Sequence, residues 1–146
     1  GVRAEKSRLL VAKYLLSKVD SVLHSNKSAS VVVIGDFNDV ATSDAMQLFS
    51  SSLTNLALPL QEQKQGSIKF EGEWELIDQI LVSKGLVDAD TPVKLLGGME
   101  IYSAPFLFEN DTMYGGKKPR RTFNGYRYNG GFSDHLPVLI KLVRLM

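Results

Sequence analysis

The chain of 146 residues contains no cysteine, no long apolar run and almost no net charge. The missing thiols exclude a disulfide framework, thiolate catalysis and thiolate zinc sites. No apolar stretch approaches the length of a membrane-spanning helix. A formal net charge of +1 is too small to indicate nucleic acid binding by itself. With 44% hydrophobic and 23% charged residues, the composition is that of a globular chain and fits one domain with a real core.

Apolar periodicity predicts both helices and strands, and therefore an α/β or α+β fold. Residues 4–24 show an amphipathic helical pattern, with apolar side chains every three or four positions. The β-branched run at residues 31–34 predicts a strand buried on both faces and ended by Gly35. Thr42 or Ser43 can cap a short helix that ends near residue 49. Further strands are predicted at residues 67–70, 76–82, 93–96 and 136–143, and residues 97–131 are interpreted as one long loop with room for a hairpin.

The first candidate site segment is Gly35-Asp36-Phe37-Asn38-Asp39, where a strand meets a loop. If the chain stays extended beyond Gly35, Asp36 and Asn38 project to the same side. A carboxylate and an amide on one face can bind a metal or its waters and can orient a nucleophilic water. The alternative, at about even odds, is a polar turn without a function.

The second and third segments suggest a histidine–carboxylate pair. Asp78 lies inside the apolar run at residues 76–82, where a carboxylate is costly without a partner. His135 can be that partner, with Asp78 fixing its tautomer. Adjacent strand residues point in opposite directions, so Asp134 is assigned to the metal instead. The alternatives are an outward-facing Asp78 and a nucleophilic triad based on Ser133, which lacks a nucleophile-elbow context.

The predicted long loop is basic and aromatic. Its cations are interleaved with tyrosine and phenylalanine, which suits phosphate contacts and stacking on bases or other rings. We select Arg120, Arg121 and Tyr126 as candidate substrate-binding residues; solvated loop charges are an equally weighted alternative. His24, the other histidine, falls at a predicted helix C-terminus and is interpreted as structural.

Together, Gly35-Asp36-Phe37-Asn38, Ile77-Asp78-Gln79-Ile80 and Ser133-Asp134-His135-Leu136-Pro137-Val138 resemble the endonuclease/exonuclease/phosphatase superfamily, whose members include deoxyribonuclease I-like enzymes. The resemblance implies that His135 is the essential histidine and that Asp78 holds it. It also implies that Asp36 and Asn38 contact the nucleophile, the phosphate or a metal. Asp134 would help to bind Mg²⁺, with Mn²⁺ as a substitute. Gln79 departs from the pattern, because an aromatic residue commonly follows the aspartate; we expect it to face away from the site.

The family's fold is a four-layer α/β sandwich, and its domains are about twice this length, at the upper end of ordinary domain sizes. Residues 1–146 resemble only the C-terminal portion of one such domain, mainly one β-sheet with flanking helices. The N-terminal half, with the family's metal-binding glutamate, is expected to be missing. An exposed sheet face would then favour dimerisation or binding of a complementing chain.

Two functions follow as expectations. The first is Mg²⁺-dependent hydrolysis of a phosphate ester in a nucleic acid, a phospholipid head group or a sugar phosphate. The second is a catalytically inactive half-domain that binds phosphate ligands or a complementing chain, such as its own N-terminal half or a second copy. A serine hydrolase is a distant third. The sequence does not indicate the compartment.

Overall fold

The computed structural model describes residues 1–88, 92–144 and 146. Over these residues the chain has an α+β fold. The helices are α1 (Val2–Ser25), α2 (Asp44–Gln47), α3 (Leu58–Glu62) and α4 (Lys84–Asp88), with 3₁₀ turns at Leu48–Ser51 and Pro105–Leu107. The strands are β1 (Val32–Asp36), β2 (Leu53–Asn55), β3 (Ile68–Phe70), β4 (Glu73–Glu75), β5 (Asp78–Ser83), β6 (Val93–Ile101), β7 (Phe108–Asn110), β8 (Lys117–Pro119), β9 (Phe123–Asn124), β10 (Arg127–Tyr128) and β11 (Val138–Arg144).

Helix α1 forms as predicted, slightly longer than residues 4–24, because its apolar stripe packs along one side of the core. The side chains of that stripe are Leu9, Ala12, Leu16, Val19 and Leu23. The backbone N–H of Asn26 donates to the carbonyl of Val22 at 2.9 Å and the chain then becomes extended, which ends the helix. The predicted cap of the next helix is also present, since Ser43 Oγ accepts the backbone N–H of Met46 at 3.3 Å.

Strand β5 is the centre of a three-stranded antiparallel sheet with the order β1-β5-β2. Its side chains alternate between two cores, as the period of a strand requires. Leu81 packs with α1, whereas Ile80 and Val82 pack with side chains of β6 and β11, which form an antiparallel pair. The sheet therefore lies between α1 and the β6–β11 pair. The remaining strands form separate two-stranded antiparallel sheets, so the strands do not belong mainly to one sheet.

Strand β1 is exposed on one face, and the prediction that it is buried on both faces is wrong. Val33 packs against the core under α1, but Ile34 is 56% exposed and Val32 is 36% exposed. The reason is the position of β1 at the sheet edge, because the β6–β11 pair covers the central strand β5 and not β1. The strand also continues to Asp36, so Gly35 lies inside it and does not end it.

Residues 97–131 are not one long loop. Strand β6 continues to Ile101, and two hairpins follow, β7 with β8 and β9 with β10. Glycines at positive φ make their turns, at +81° for Gly115, +70° for Gly116 and +59° for Gly125. The strands of these hairpins have only two or three residues, too few for a visible alternating pattern.

Among the helices of the described residues, none has both the length and the apolar character needed to span a bilayer.

Candidate functional site

The acidic segment after β1 turns sharply. Asn38 has a φ of +50°, and its backbone N–H donates to Asp36 Oδ1 at 2.8 Å. Asparagine tolerates this left-handed conformation, and an aspartate two residues earlier stabilises the turn. The chain is therefore extended only to Asp36, and the extended course through Asn38 on which the shared side of the two side chains was predicted does not occur. The turn nevertheless brings the two side chains together, with Asn38 Nδ2 at 3.5 Å from Asp36 Oδ2, and both residues are exposed.

Two other elements anchor this turn. The Gln79 side chain is completely buried, and its Nε2 donates to the carbonyls of Asp39, at 3.0 Å, and Leu76, at 2.7 Å. Its Oε1 accepts from Asn55 Nδ2 at 2.9 Å. Arg8 Nε on α1 donates to Asp39 Oδ2 at 3.0 Å. Gln79 thus fixes the loop from beneath, a role that sequence reasoning missed.

The second and third segments meet at a histidine–aspartate contact. His135 Nδ1 lies 2.7 Å from Asp78 Oδ2, and Ser67 Oγ donates to the same carboxylate oxygen. The predicted contact of His135 with Asp78 is therefore present, and Asp78 is not turned outward. An ionised carboxylate only accepts hydrogen bonds, so this arrangement favours the imidazole proton on Nδ1. Within the described residues, Asp78 is the one hydrogen-bond partner of the ring, which leaves Nε2 available.

Asp36 lies beside this pair. Asp36 and Asp78 are register partners at the ends of β1 and β5. Directly opposite residues of an antiparallel pair point to the same face, with Cβ atoms about 4.5–5.5 Å apart. Two carboxylates on one face repel each other, which makes the position favourable for a cation. The first segment and the His135–Asp78 contact therefore share one face of the sheet.

The Asp134 side chain instead contacts an arginine of the β8–β9 connection. Its Oδ2 lies 3.1 Å from Arg121 Nη2, and both side chains are about half exposed. This ion pair lies between two cavities. One of about 310 Å³ is also lined by Lys69, Lys118 and Tyr114, and one of about 280 Å³ is also lined by Phe123, Phe132 and Ser133.

The three candidate substrate-binding residues have different environments. Arg121 borders both cavities through its ion pair. The Arg120 side chain is held within its own loop region, because its Nε donates to the carbonyl of Asn129 at 3.0 Å. Tyr126 is fully exposed in the turn between β9 and β10. The structure thus brings only Arg121 next to a member of the three segments.

Ser133 is not aimed at the imidazole. Its Oγ accepts the backbone N–H of His135 at 3.0 Å, which stabilises the turn before β11. This geometry gives no support to a serine nucleophile. His24 lies in the last turn of α1, as predicted.

A buried ion pair supports the floor of the larger cavity. Lys69 Nζ on β3 lies 3.0 Å from Asp111 Oδ2 and donates to the carbonyl of Gly115 at 2.7 Å. The backbone N–H of Tyr114, with a smaller contribution from Lys69, holds the pKa of Asp111 below its ordinary value. The pair joins β3 to the β7–β8 hairpin. Nothing in the local sequence signals it, because its members lie 42 positions apart.

The oxygen donors at the site suit Mg²⁺ in kind. Asp36 and Asp134 offer carboxylates and Asn38 offers an amide oxygen, which are hard ligands. In the part of the chain that the structure describes, no group of three or more histidine, aspartate or glutamate side chains lies close enough to hold a metal ion. Mg²⁺ is usually held by one or two carboxylates, water and substrate phosphate, so Asp36 and Asn38, whose side chains lie together, fit that smaller requirement.

A model of the endonuclease/exonuclease/phosphatase family matches residues 2–144, nearly the whole chain. The chain therefore belongs to this family, and the resemblance inferred from its three segments is confirmed. The family supports a function in the hydrolysis of phosphate esters, as a nuclease or a phosphatase. Neither the curated proteins nor the solved structures compared with the chain gave a match.

Proposed function

We propose that this chain carries the catalytic histidine of a Mg²⁺-dependent phosphodiesterase or phosphomonoesterase. The observation that supports the proposal is the 2.7 Å contact of His135 Nδ1 with Asp78 Oδ2, on the same sheet face as Asp36. Hydrolysis of a phosphate ester needs a proton carrier, polar groups around the phosphate and usually a divalent cation. Residues of these kinds meet at the ends of β1 and β5.

In the proposed reaction, water attacks phosphorus in line, the new oxygen–phosphorus bond forms and the ester bond to the leaving oxygen breaks. Asp78 accepts a hydrogen bond from Nδ1–H and holds the ring, so that Nε2 can take the proton of the attacking water; the resulting imidazolium can stabilise the charged transition state or give the proton to the leaving oxygen. Asp36 and Asn38 position the water and the phosphate. Their turn is held from below by Gln79, so this position is fixed before substrate binds.

Asp36, Asn38 and Asp134 are the residues that would hold Mg²⁺, or Mn²⁺ in its place. Bound there, the metal would stabilise negative charge on the phosphate oxygens. Two of these residues also have roles that do not need the metal. Asn38 can orient water, and the Asp134 carboxylate holds Arg121 beside the two cavities.

Arg121 is the residue best placed to contact the phosphate. Its guanidinium already binds one carboxylate, and the same fork of donors suits a phosphate. Arg120 would act by holding the loop, and Tyr126 would contact a long substrate at the hairpin tip. A nucleic acid, a phospholipid head group and a sugar phosphate all remain within this proposal.

The test is hydrolysis of bis(p-nitrophenyl) phosphate and p-nitrophenyl phosphate with Mg²⁺, for the wild type, His135→Ala and His24→Ala. His24→Ala is a matched control, because it removes the only other histidine at a distant helix end. We expect EDTA and His135→Ala each to lower the rate about 100-fold or more. The proposal fails if the folded wild type shows no Mg²⁺-dependent hydrolysis of either ester.

A second candidate function, as an inactive half-domain that binds a complementing chain, is supported by a different observation. Ile34 and Val32 form an exposed apolar face on edge strand β1, next to Asp36. Such a face and edge favour pairing with another strand. Under this proposal residues 1–146 are one portion of a four-layer sandwich, and the N-terminal half or a second copy of the chain covers β1. A monomer at high concentration, measured by light scattering, would count against the second copy.

A further inference from the structure

Ser67 is a polar residue of the site interior that the proposed reaction does not yet use. Its side chain has no exposed area, although it directly precedes β3 at the edge of the polar site. Its hydroxyl donates to Asp78 Oδ2, the same oxygen that His135 Nδ1 contacts. One carboxylate oxygen therefore accepts from two side chains, and both come from outside β5.

The backbone of Ser67 fixes the other member of the pair. Its carbonyl accepts the N–H of Leu136 at 2.7 Å, and the next residue, Ile68, forms an isolated bridge with His135. Its own N–H donates to the carbonyl of Glu75 at 2.9 Å. Ser67 thus binds Asp78 through its side chain and holds the His135 segment through its backbone.

The hydroxyl of Ser67 can restrict the orientation of the Asp78 carboxylate. A carboxylate can rotate about its terminal torsion, and a second donor on Oδ2 restricts that rotation. With Asp78 fixed, the Nδ1–H of His135 keeps a defined acceptor and the Nε2 lone pair keeps a defined direction. Mutating the partners that orient a metal-ligating histidine typically lowers metal affinity or activity 10–100-fold, and we expect an effect of the same order for this histidine–carboxylate pair.

We propose that Ser67 is a positioning residue for the His135–Asp78 pair: its hydroxyl locks the Asp78 carboxylate that orients the imidazole. The role in turnover rests on the proposed function, whereas the orientation of the ring does not. Ser67 acts through Asp78 and touches neither substrate nor metal in this proposal.

Ser83 provides a matched control. It lies at the other end of β5, is also buried, and also uses its hydroxyl, which donates to the carbonyl of Ala29 at 2.9 Å and accepts the N–H of Val31 at 3.0 Å. Ser83→Ala therefore deletes a buried hydroxyl from the same sheet without touching the pair. Ser67→Thr keeps the hydroxyl and serves as the rescue variant.

The experiment compares Ser67→Ala, Ser67→Thr and Ser83→Ala by kinetics and by ¹⁵N NMR of the imidazole rings. We expect Ser67→Ala to lower kcat about 10–100-fold with little change in KM. Ser67→Thr should recover most of that loss, and the kcat of Ser83→Ala should equal that of the wild type. The chain has only two histidines, so His24 is an internal reference in the spectra. We expect the His135 ring signals to show the Nδ1–H tautomer in the wild type and a mixture in Ser67→Ala, with His24 unchanged.

Equal kcat and equal His135 ring signals in Ser67→Ala and Ser83→Ala would overturn the proposal. If the wild type has no activity, the proposed function fails, and the ring signals alone decide the role of Ser67. If Ser67→Ala does not fold, Ser67→Cys replaces it in both measurements, since the thiol is of similar size and a much weaker donor.

Discussion

Gln79→Leu tests whether a buried amide, and not only the acidic residues, builds the site. Gln79 is completely buried, and its side chain makes three hydrogen bonds, to Asp39, Leu76 and Asn55. Leaving a buried partner unpaired costs about 1–3 kcal/mol each. Two of the three bonds are only partly buried, so the lower part of that range applies to them. Leucine has nearly the same size, and its apolar burial offsets about 2 kcal/mol.

We therefore expect Gln79→Leu to lower the free energy of unfolding by about 1–3 kcal/mol, measured by urea denaturation followed by circular dichroism. Gln65→Leu is the control, because Gln65 is exposed and we expect a change within about 0.5 kcal/mol. The loss of the Asp39 anchor should also lower the activity of the remaining folded protein. An equal unfolding free energy for Gln79→Leu and Gln65→Leu would refute this reasoning.

Two further predictions concern the buried ion pair and the exposed strand. The pKa of Asp111 is lowered, chiefly by the hydrogen bond from the Tyr114 N–H. The ionised Asp111 carboxylate therefore stabilises the fold at a pH above the unfolded pKa of about 4. This stabilisation is lost as the pH falls through the lower pKa of the folded state. Asp111→Asn should therefore make the urea midpoint less sensitive to pH between 7 and 2.5, whereas a pH dependence equal to that of the wild type would contradict this. Ile34→Lys should reduce self-association, measured by size-exclusion chromatography with light scattering. It should change the free energy of unfolding by less than about 0.5 kcal/mol, because Ile34 is 56% exposed. An unchanged distribution of oligomers would contradict this prediction.

The sequence predicts the helices and strands whose apolar residues repeat regularly. It does not predict features that depend on which elements pack beside one another. Helix α1 was predictable because its apolar stripe, from Leu9 to Leu23, runs through about four turns. The run at residues 31–34 predicted a strand, but the burial of its two faces depends on which strand lies beside it. As the edge strand, β1 keeps only one apolar face covered. A hairpin was allowed for within residues 97–131, but the two hairpins after β6 could not be located from the sequence because their strands have only two or three residues each.

The contact of His135 with Asp78 was predictable because an isolated carboxylate in an apolar run requires a partner. The neighbours that fix this contact were not predictable. Ser67 and Gln79 are ordinary polar residues in sequence, and only the folded chain shows which atoms their side chains reach. The ion pair of Asp134 with Arg121 was also unforeseen, because it depends on how the β8–β9 connection folds back. The catalytic and metal-binding roles of these residues stay predictions.

The most direct test of the central claim is the rate of Mg²⁺-dependent phosphodiester hydrolysis by Asp78→Asn. This variant keeps His135 and nearly the same side-chain volume, but the amide no longer enforces the Nδ1–H tautomer of the imidazole. We predict a fall in kcat of about 10²–10⁴-fold with the fold preserved. A folded Asp78→Asn protein with a kcat within a few-fold of the wild type would contradict the account.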